Sequence, residues 1–556
     1  MGVCQNTKNN RQKSQIKASP IKNNNFSKDN TAETGNEKQI ESEEKLKSKN
    51  VNSSEKKNNN NNNNNEDYSQ NIIKINQLAI NSDVLVSRNE INPEKIYNKN
   101  RILGTGAFGE VWLVKHKDLQ KEFAMKLIKK RKNKPSEEKE ILNEISILKN
   151  LDHPKILKVL DFFSTTHLYY IITEYCPDGE LFNEIIKVGK FDEGQSAFIM
   201  NQIFKAITYC HSLNIIHRDL KPENIMITER EKNGCLQVKI IDFGTAKISE
   251  RGQSENRYVG SSYYMAPEVI KRKYNEKCDL WSCGVIMYIL LSGRPPFDGD
   301  DDNEILENVK KGEYDLSNYP FPTLSEESID LIKKLLTYDP NKRISASEAL
   351  KHPWFKTAEF KKKDQINIVP PSLAKQMIQN LQKYRSDNML RCAVIAYLVH
   401  HNTNIEQCVE AGKLFNRIDL NNNGRIEKEE SIKGIEKYWN LTRNEVEKQV
   451  DTLFNHIDTD HNGFIEYEEF VRAAVDPKIF MSRNYLKFAF GYFDRDNSGD
   501  ISLEEIKKRF MQTSKNNSEK VEKQLKDMFK EIDINGDGSI SFEEFCKMMK
   551  NIIKGE

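Results

Sequence analysis

The segment His217-Arg218-Asp219-Leu220-Lys221-Pro222-Glu223-Asn224 places an acid, an amine and an amide at fixed spacing in one short polar loop. Transferring a phosphoryl group needs a carboxylate to accept the proton of the attacking hydroxyl, a cation on the migrating phosphate and an oxygen ligand for a hard metal ion. Asp219, Lys221 and Asn224 supply these in order. The D-x-x-x-x-N spacing lets one turn present Asp219 to the hydroxyl while Asn224 reaches Mg²⁺, which takes oxygen ligands in octahedral geometry. Eight residues alone would also make an ordinary polar turn, so the reading depends on partners elsewhere.

Those partners lie on both sides. Gly104-Thr105-Gly106-Ala107-Phe108-Gly109 matches G-x-G-x-x-G, which dinucleotide-binding folds share. A dinucleotide fold needs a helix next, whereas Glu110-Val111-Trp112-Leu113-Val114 alternates like a strand, as a glycine-rich hairpin over ATP phosphates would. Ala124-Met125-Lys126 ends another strand with a cation for the α- and β-phosphates, and Glu144, in a helical run over 138–149, is placed to pair with it. Ile240-Ile241-Asp242-Phe243-Gly244 puts a carboxylate at the end of an apolar strand, where it would hold the metal bridging the phosphates, and Ala266-Pro267-Glu268 closes the loop behind it. The alternative is four unrelated surface charges at Lys126, Glu144, Asp219 and Asp242.

In order and spacing this set resembles the eukaryotic protein kinase family over residues 97–355. The resemblance implies an α+β bilobal fold. It implies a nucleotide site formed by Gly104, Gly106, Phe108, Gly109, Val111, Ala124 and Lys126, with gatekeeper Thr173, hinge residues Glu174 and Cys176, and Glu180. Asn224 and Asp242 would hold Mg²⁺, Glu268 would pair with Arg343, and the apolar run 283–291 behind Asp279 and Trp281 would be the buried central helix. Lys221 and Gly260-Ser261-Ser262 look like the serine/threonine branch. Glu180 and Glu223 match two positions that read a basic residue three places before the phosphoacceptor, with an ATP-ribose contact as the alternative for Glu180. Arg218 normally finds an anion on the activation loop. The residue three before Gly260 is Arg257, which takes no phosphate, so phosphorylation there is not expected to be the main switch and Glu255 is the candidate partner.

A different repeat fills the last third. Twelve-residue loops begin at Asp419, Asp458, Asp494 and Asp533. Each has oxygen ligands at positions 1, 3 and 5, Gly at 6 for the sharp turn, a backbone carbonyl at 7 and Glu at 12, the EF-hand pattern for Ca²⁺. The ligands are Asp419, Asn421, Asn423, Arg425 and Glu430; Asp458, Asp460, Asn462, Phe464 and Glu469; Asp494, Asp496, Ser498, Asp500 and Glu505; Asp533, Asn535, Asp537, Ser539 and Glu544. Ile426, Ile465, Ile501 and Ile540 at position 8 suit a short strand pairing two loops. The first loop has fewest carboxylates and is expected to bind most weakly, with Glu427 compensating in part.

Between the two modules, Pro370-Pro371 stops any helix arriving from upstream. Leu373, Met377, Leu381 and Tyr384 then recur at helical spacing, and Leu390, Val394, Tyr397 and Leu398 repeat the pattern. One long helix or two must bury this stripe against the kinase or the calcium module. Leu381-Gln382-Lys383-Tyr384-Arg385-Ser386 places a cation before a serine, so the stretch is expected to occupy the substrate groove at rest, with Ser386 an autophosphorylation candidate.

At the other end, Met1-Gly2-Val3-Cys4 offers Gly2 for myristoylation and Cys4 for palmitoylation, with basic residues behind, although Asn6 replaces the usual Ser/Thr. The Asn/Lys-rich stretch that follows, including 58–65, cannot bury enough surface to offset its ordering entropy and is expected to be a disordered tether. The apolar piece 72–86 is left open between packing on the kinase and staying extended. Lys plus Arg (85) nearly balances Asp plus Glu (83), which gives no argument for nucleic-acid binding over the whole molecule, and no nucleic-acid partner is expected. Nine scattered cysteines with no C-x-x-C suit reduced cytosolic thiols, and no apolar run reaches the length of a bilayer span.

Taken together the chain resembles the calcium-dependent protein kinases of plants and protists. The expected layout is a disordered arm (1–95), kinase (97–355), autoinhibitory junction (360–411) and two EF-hand pairs (412–478 and 479–556). The resemblance implies a cytoplasmic monomer, partly membrane-associated by acylation, that uses ATP, Mg²⁺ and up to four Ca²⁺ on protein substrates. Competing readings are a calcium-binding scaffold with an inactive kinase and a kinase that still needs separate calmodulin.

Overall fold

The computed structural model describes residues 85–86, 88–89, 91–106, 109–130, 135–249, 255, 260–357, 360, 369–386, 388–436, 443–511 and 519–554. Gly2, Cys4, the 58–65 run, Phe108 and Arg257 lie outside the described residues.

The first lobe is a mixed sheet of β1 (Arg88–Asn89), β2 (Tyr97–Gly106), β3 (Gly109–His116), β4 (Glu122–Lys129), β5 (Val159–Ser164) and β6 (Leu168–Glu174), in the order β1-β5-β6-β4-β3-β2. Folded structure therefore begins before residue 97. Leu85 and Val86 are buried, and β1 pairs in parallel with β5 through Arg88 opposite Phe162. The gain is physical, since β5 would otherwise present an unpaired edge. Helix α1 (Pro135–Lys149) carries Glu144 and connects β4 to β5.

The second lobe is built around α2 (Glu193–Ser212) and α3 (Lys277–Ser292). Asp192 caps α2 by accepting the Gln195 N–H at 2.7 Å. Helix α3 is buried from Cys278 to Leu291, as a helix apolar on all sides must be. Arg343, its side chain 0% exposed, pairs with Glu268 behind this helix at 2.5 and 3.0 Å.

The junction is two helices, α4 (Pro371–Lys383) and α5 (Met389–His401), with Asn388 capping the second by accepting the Arg391 N–H at 3.0 Å. Met377, Leu381, Leu390, Val394, Tyr397 and Leu398 share one core with Phe415, Phe454 and Phe470 of the hands. The first hand's entering helix runs Glu406–Ile418, so the calcium module starts ahead of the expected boundary at 412. Ile426 pairs with Ile465 and Ile501 with Ile540 across two short antiparallel ladders. Eight cysteines fall among the described residues, all unbonded, and all but Cys546 are buried. No helix among the described residues is long and apolar enough to cross a membrane.

Breaking a buried ion pair by removing one partner costs about 3–5 kcal/mol. Glu268→Ala strands the Arg343 guanidinium and is expected to lower the thermal midpoint by roughly 6 °C or more. Differential scanning fluorimetry that found no shift would contradict this.

Candidate active site and calcium loops

Strand register gathers the nucleotide-site candidates. Val111 of β3 faces Lys126 of β4, Lys126 faces Ile171 of β6, and Ala124 faces Thr173. Gly109 has φ +144°, and a Cβ there would lie 1.9 Å from the Leu127 carbonyl oxygen, so glycine alone permits this close hairpin. Lys126 Nζ lies 3.2 Å from Glu144 Oε1. The Glu174 carboxylate accepts from Lys239 Nζ at 2.6 Å and from the Lys158 N–H at 2.9 Å, which binds the end of β6 to its neighbours. Cys176 is buried, which pushes its thiol up to about 12.

The catalytic-loop candidates are also brought together. Lys221 Nζ donates to Asp219 Oδ2 at 2.8 Å, and Asn224 Nδ2 donates to the Asp219 carbonyl at 2.8 Å, which orients its amide oxygen. Ser261, not singled out from the sequence, completes the group. Its hydroxyl donates to Asp219 Oδ1 at 3.0 Å and accepts from Lys221 Nζ at 2.9 Å, and its N–H also reaches Asp219 Oδ1 at 3.1 Å. The sequence signal was its place in Gly260-Ser261-Ser262, without a role attached.

Two non-glycine residues here have left-handed backbone, Arg218 (φ +70°) and Asp242 (φ +62°), a conformation that persists only where surroundings hold it. Asp279 at the start of α3 is the holder for the first, accepting the N–H of His217 at 3.0 Å and of Arg218 at 2.9 Å. Burial opposes charge on Asp279, but the hydrogen bond from His211 and its neighbours outweigh it and keep the carboxyl below its usual range. Near Gly244, a Cβ would meet Asp242 Oδ1 at 3.0 Å and Glu144 Oε2 at 3.3 Å, so the two carboxylates converge on this turn.

Arg218 does not take Glu255 as its partner. Its Nε donates to the Thr245 carbonyl at 2.6 Å and its Nη1 to Tyr274 Oη at 3.4 Å, while Glu255 pairs with Lys247 at 2.6 Å. The reason is backbone placement, because Glu255 bridges the main chain of Tyr274 and thereby faces the Lys247 strand.

Glu180 and Glu223 lie close enough to repel. Burial raises both carboxyls, and for Glu223 the charge of Glu180 adds to the rise. Glu223 Oε2 is buried with no hydrogen-bond partner among the described residues. Ser386 lies between α4 and α5, where Arg385 Nη1 donates to the carbonyls of Gln382 and Tyr384 at 2.9 and 2.8 Å. Tyr384 and Leu381 pack into the hand core, so this stretch occupies the calcium module here and not the substrate groove.

All four calcium loops share one internal geometry. The position-6 glycines Gly424, Gly463, Gly499 and Gly538 have φ of +76°, +86°, +98° and +84°. Each donates its N–H to the leading aspartate, at 2.9 to 3.0 Å. Glu430, Glu469, Glu505 and Glu544 at position 12 each accept the N–H of position 2, which turns the carboxylate into the loop. Among the described residues, Asp458, Asp460 and Glu469, and likewise Asp494, Asp496 and Glu505, bring carboxylate oxygens within 4.8 Å of one another. These donor sets fit a hard divalent cation. In the first loop Asp419 and Glu430 stand with the amides of Asn421 and Asn423.

The protein kinase domain family model matches residues 97–355, and the EF-hand domain pair model matches 409–475 and 483–550. The chain is 36% identical over 492 residues to calcium-dependent protein kinase 4 of Plasmodium berghei (strain Anka), covering 86% of this chain and 92% of the relative. It is 37% identical over 483 residues to calcium-dependent protein kinase 4 of Plasmodium falciparum (isolate 3D7), covering 85% and 90%. Calcium-dependent protein kinase 19 of Oryza sativa subsp. japonica is 33% identical over 470 residues, 84% of this chain and 85% of that one. Fold, loops and matches together define a serine/threonine protein kinase joined to EF-hands in one polypeptide. The chain belongs to the calcium-dependent protein kinases, and its kinase activity is calcium-activated.

Burial pushes Asp419 and Glu469 up to about 7 each. A ligand carboxyl must lose its proton before it holds a cation, so protons compete with Ca²⁺ below about pH 7. The calcium concentration for half-maximal activity is expected to rise as pH falls from about 7.5 to 6, by up to roughly tenfold per unit for each such group. Peptide phosphorylation at buffered free calcium reads this directly.

Proposed function

We propose that the chain transfers the γ-phosphate of ATP to serine or threonine in proteins, with Asp219 accepting the proton of the attacking hydroxyl. The observation that carries this is the closed set of contacts among Asp219, Lys221, Asn224 and Ser261, with Lys126 and Glu144 paired across the nucleotide strands. Mg²⁺ and ATP, when bound, supply the electrophilic phosphoryl group and its charge neutralisation. Asn224 and Asp242 are the residues for the metal, and Lys126, held by Glu144, orients the α- and β-phosphates. Gly104, Gly106, Phe108, Gly109, Val111, Ala124, Thr173, Glu174 and Cys176 enclose the nucleotide. Lys221 steadies the migrating group, and the Ser261 hydroxyl fixes both it and Asp219.

Calcium control follows from the junction. In the resting state α4 and α5 leave the hands and cover the substrate cleft, with Ser386 at the phosphoacceptor position. Four occupied loops draw them back, and their apolar contacts with Phe415, Phe454 and Phe470 support this host. Moving such a switch from 1:99 to 99:1 takes about 5.5 kcal/mol, which four sites each preferring the bound form about tenfold supply. Glu180 and Glu223 read a basic residue three places before the phosphoacceptor, and the unpartnered Glu223 oxygen supports that reading. The enzyme works as a cytoplasmic monomer, held in part at membranes through acyl chains on Gly2 and Cys4.

ATP turnover on a basic peptide, in calcium and in EGTA, tests the central reading. Wild type is expected to need calcium, and Asp242→Ala to lose more than about a thousandfold in rate. Equal rates in calcium and EGTA would remove the switch, and an active Asp242→Ala would remove the assigned chemistry. Replacing the −3 Arg of the peptide by Ala is expected to cost about tenfold to a hundredfold in kcat/KM for wild type and about threefold or less for Glu223→Gln.

A further inference from the structure

Lys158, just before β5, has its ammonium held by Asp152 Oδ1 at 3.3 Å and by Glu468 Oε1, and the Lys158 and Glu468 side chains are only 13% and 18% exposed. Asp152 and Lys158 belong to the kinase, whereas Glu468 lies in the first turn of α6 (Tyr467–Ala474), the exiting helix of the second hand. The Glu468 N–H donates to Asp152 Oδ2 at 2.6 Å. His400 of α5 joins them, its Nδ1 2.8 Å from Glu468 Oε1 and its Nε2 donating to the Val159 carbonyl at 3.0 Å. Kinase, junction and calcium module thus meet in one enclosed group of charges.

This group touches working parts on both sides. On the calcium side Glu468 is position 11 of the second loop and Glu469 is position 12. Successive residues on a helix point about 100° apart, so one turn aims Glu469 at Asp458 and Asp460 while aiming Glu468 at the kinase. Any rotation of α6 that withdraws one carboxylate from its loop withdraws the other from Lys158. On the kinase side the Lys158 backbone exchanges hydrogen bonds with Glu174, giving its N–H at 2.9 Å and accepting at 3.3 Å. Glu174 ends β6 at the connection between the lobes and is bound by Lys239 from the strand Leu236–Ile240 of the second lobe.

We propose that Lys158 is a positioning residue that ties occupancy of the second calcium loop to the lobe connection of the kinase through Glu468. The tie closes when the loop's carboxylates are gathered, as they are here, and it opens when α6 turns away. It rests on calcium activation of the enzyme; a wild type indifferent to calcium would fault that activation and not this contact. Because coupling between two sites is reciprocal, a substitution at Lys158 in the kinase must weaken calcium binding in a module it does not belong to.

The test uses the full-length chain. Peptide phosphorylation and calorimetric calcium titration are measured for wild type, Lys158→Met, Lys158→Arg, Glu468→Gln and the double Lys158→Met/Glu468→Gln. Lys158→Met is expected to raise the calcium midpoint about tenfold while the rate at saturating calcium stays within about twofold of wild type. Lys158→Arg, keeping the charge, is expected to hold the wild-type midpoint within about twofold. The double variant is expected to shift no further than the larger single shift, since both remove one contact. An unchanged midpoint in Lys158→Met, a loss of rate equal at every calcium concentration, or additive shifts in the double would each overturn the proposal. If Lys158→Met melts below the assay temperature, Asp152→Asn is judged by the same midpoint criterion.

Discussion

An apolar helix face cannot remain in water, and the placement of α5 shows what that demand imposes. Every residue from Cys392 to His401 is buried, so the helix needs covering on more than one side. One side is taken by the third hand, where Tyr397 stacks on Phe488 and Tyr492 at 4.9 and 4.1 Å. Another is taken by the kinase, through the His400 contact with Val159 and the Lys121 ammonium donating to the His401 carbonyl at 2.7 Å. At about 1.5–3 kcal/mol for each large side chain hidden from water, the helix adds its own burial to the direct contacts between the two modules.

The second constraint is local and lies under the catalytic loop. A left-handed Arg218 costs on the order of 1–3 kcal/mol, and the two amides directed at Asp279 compensate for it within the core of the second lobe. The loop is therefore stiff before any substrate arrives.

Much of this was legible in the sequence because the chemistry there is carried by spacing within one loop or one strand end. The Asp219 to Asn224 interval, the Asp242 turn, the glycine hairpin and the four calcium loops each specify their own local geometry. The pairing of position-8 isoleucines followed from the same kind of pattern, whereas the buried α3 was implied by the resemblance to protein kinases. What remained hidden depends on meetings between distant segments. Nothing around Lys158 or Glu468 marks them as partners, since a lysine before a strand and a glutamate in a helical first turn are ordinary solvated charges. The Glu255 assignment failed for the same reason, because the charge was right but the backbone faced Lys247. Leu85 and Val86 were ambiguous because two apolar residues declare no host until β5 offers an open edge.

The thiols carry one more consequence. Among the described residues seven cysteines are buried, and burial pushes those at 176 and 408 up to about 12, far above neutral pH. Oxidants and alkylating agents attack thiolate and not thiol, so these sulfurs behave as small apolar packing groups. A burst of peroxide that accompanies a calcium signal would pass over these buried sulfurs.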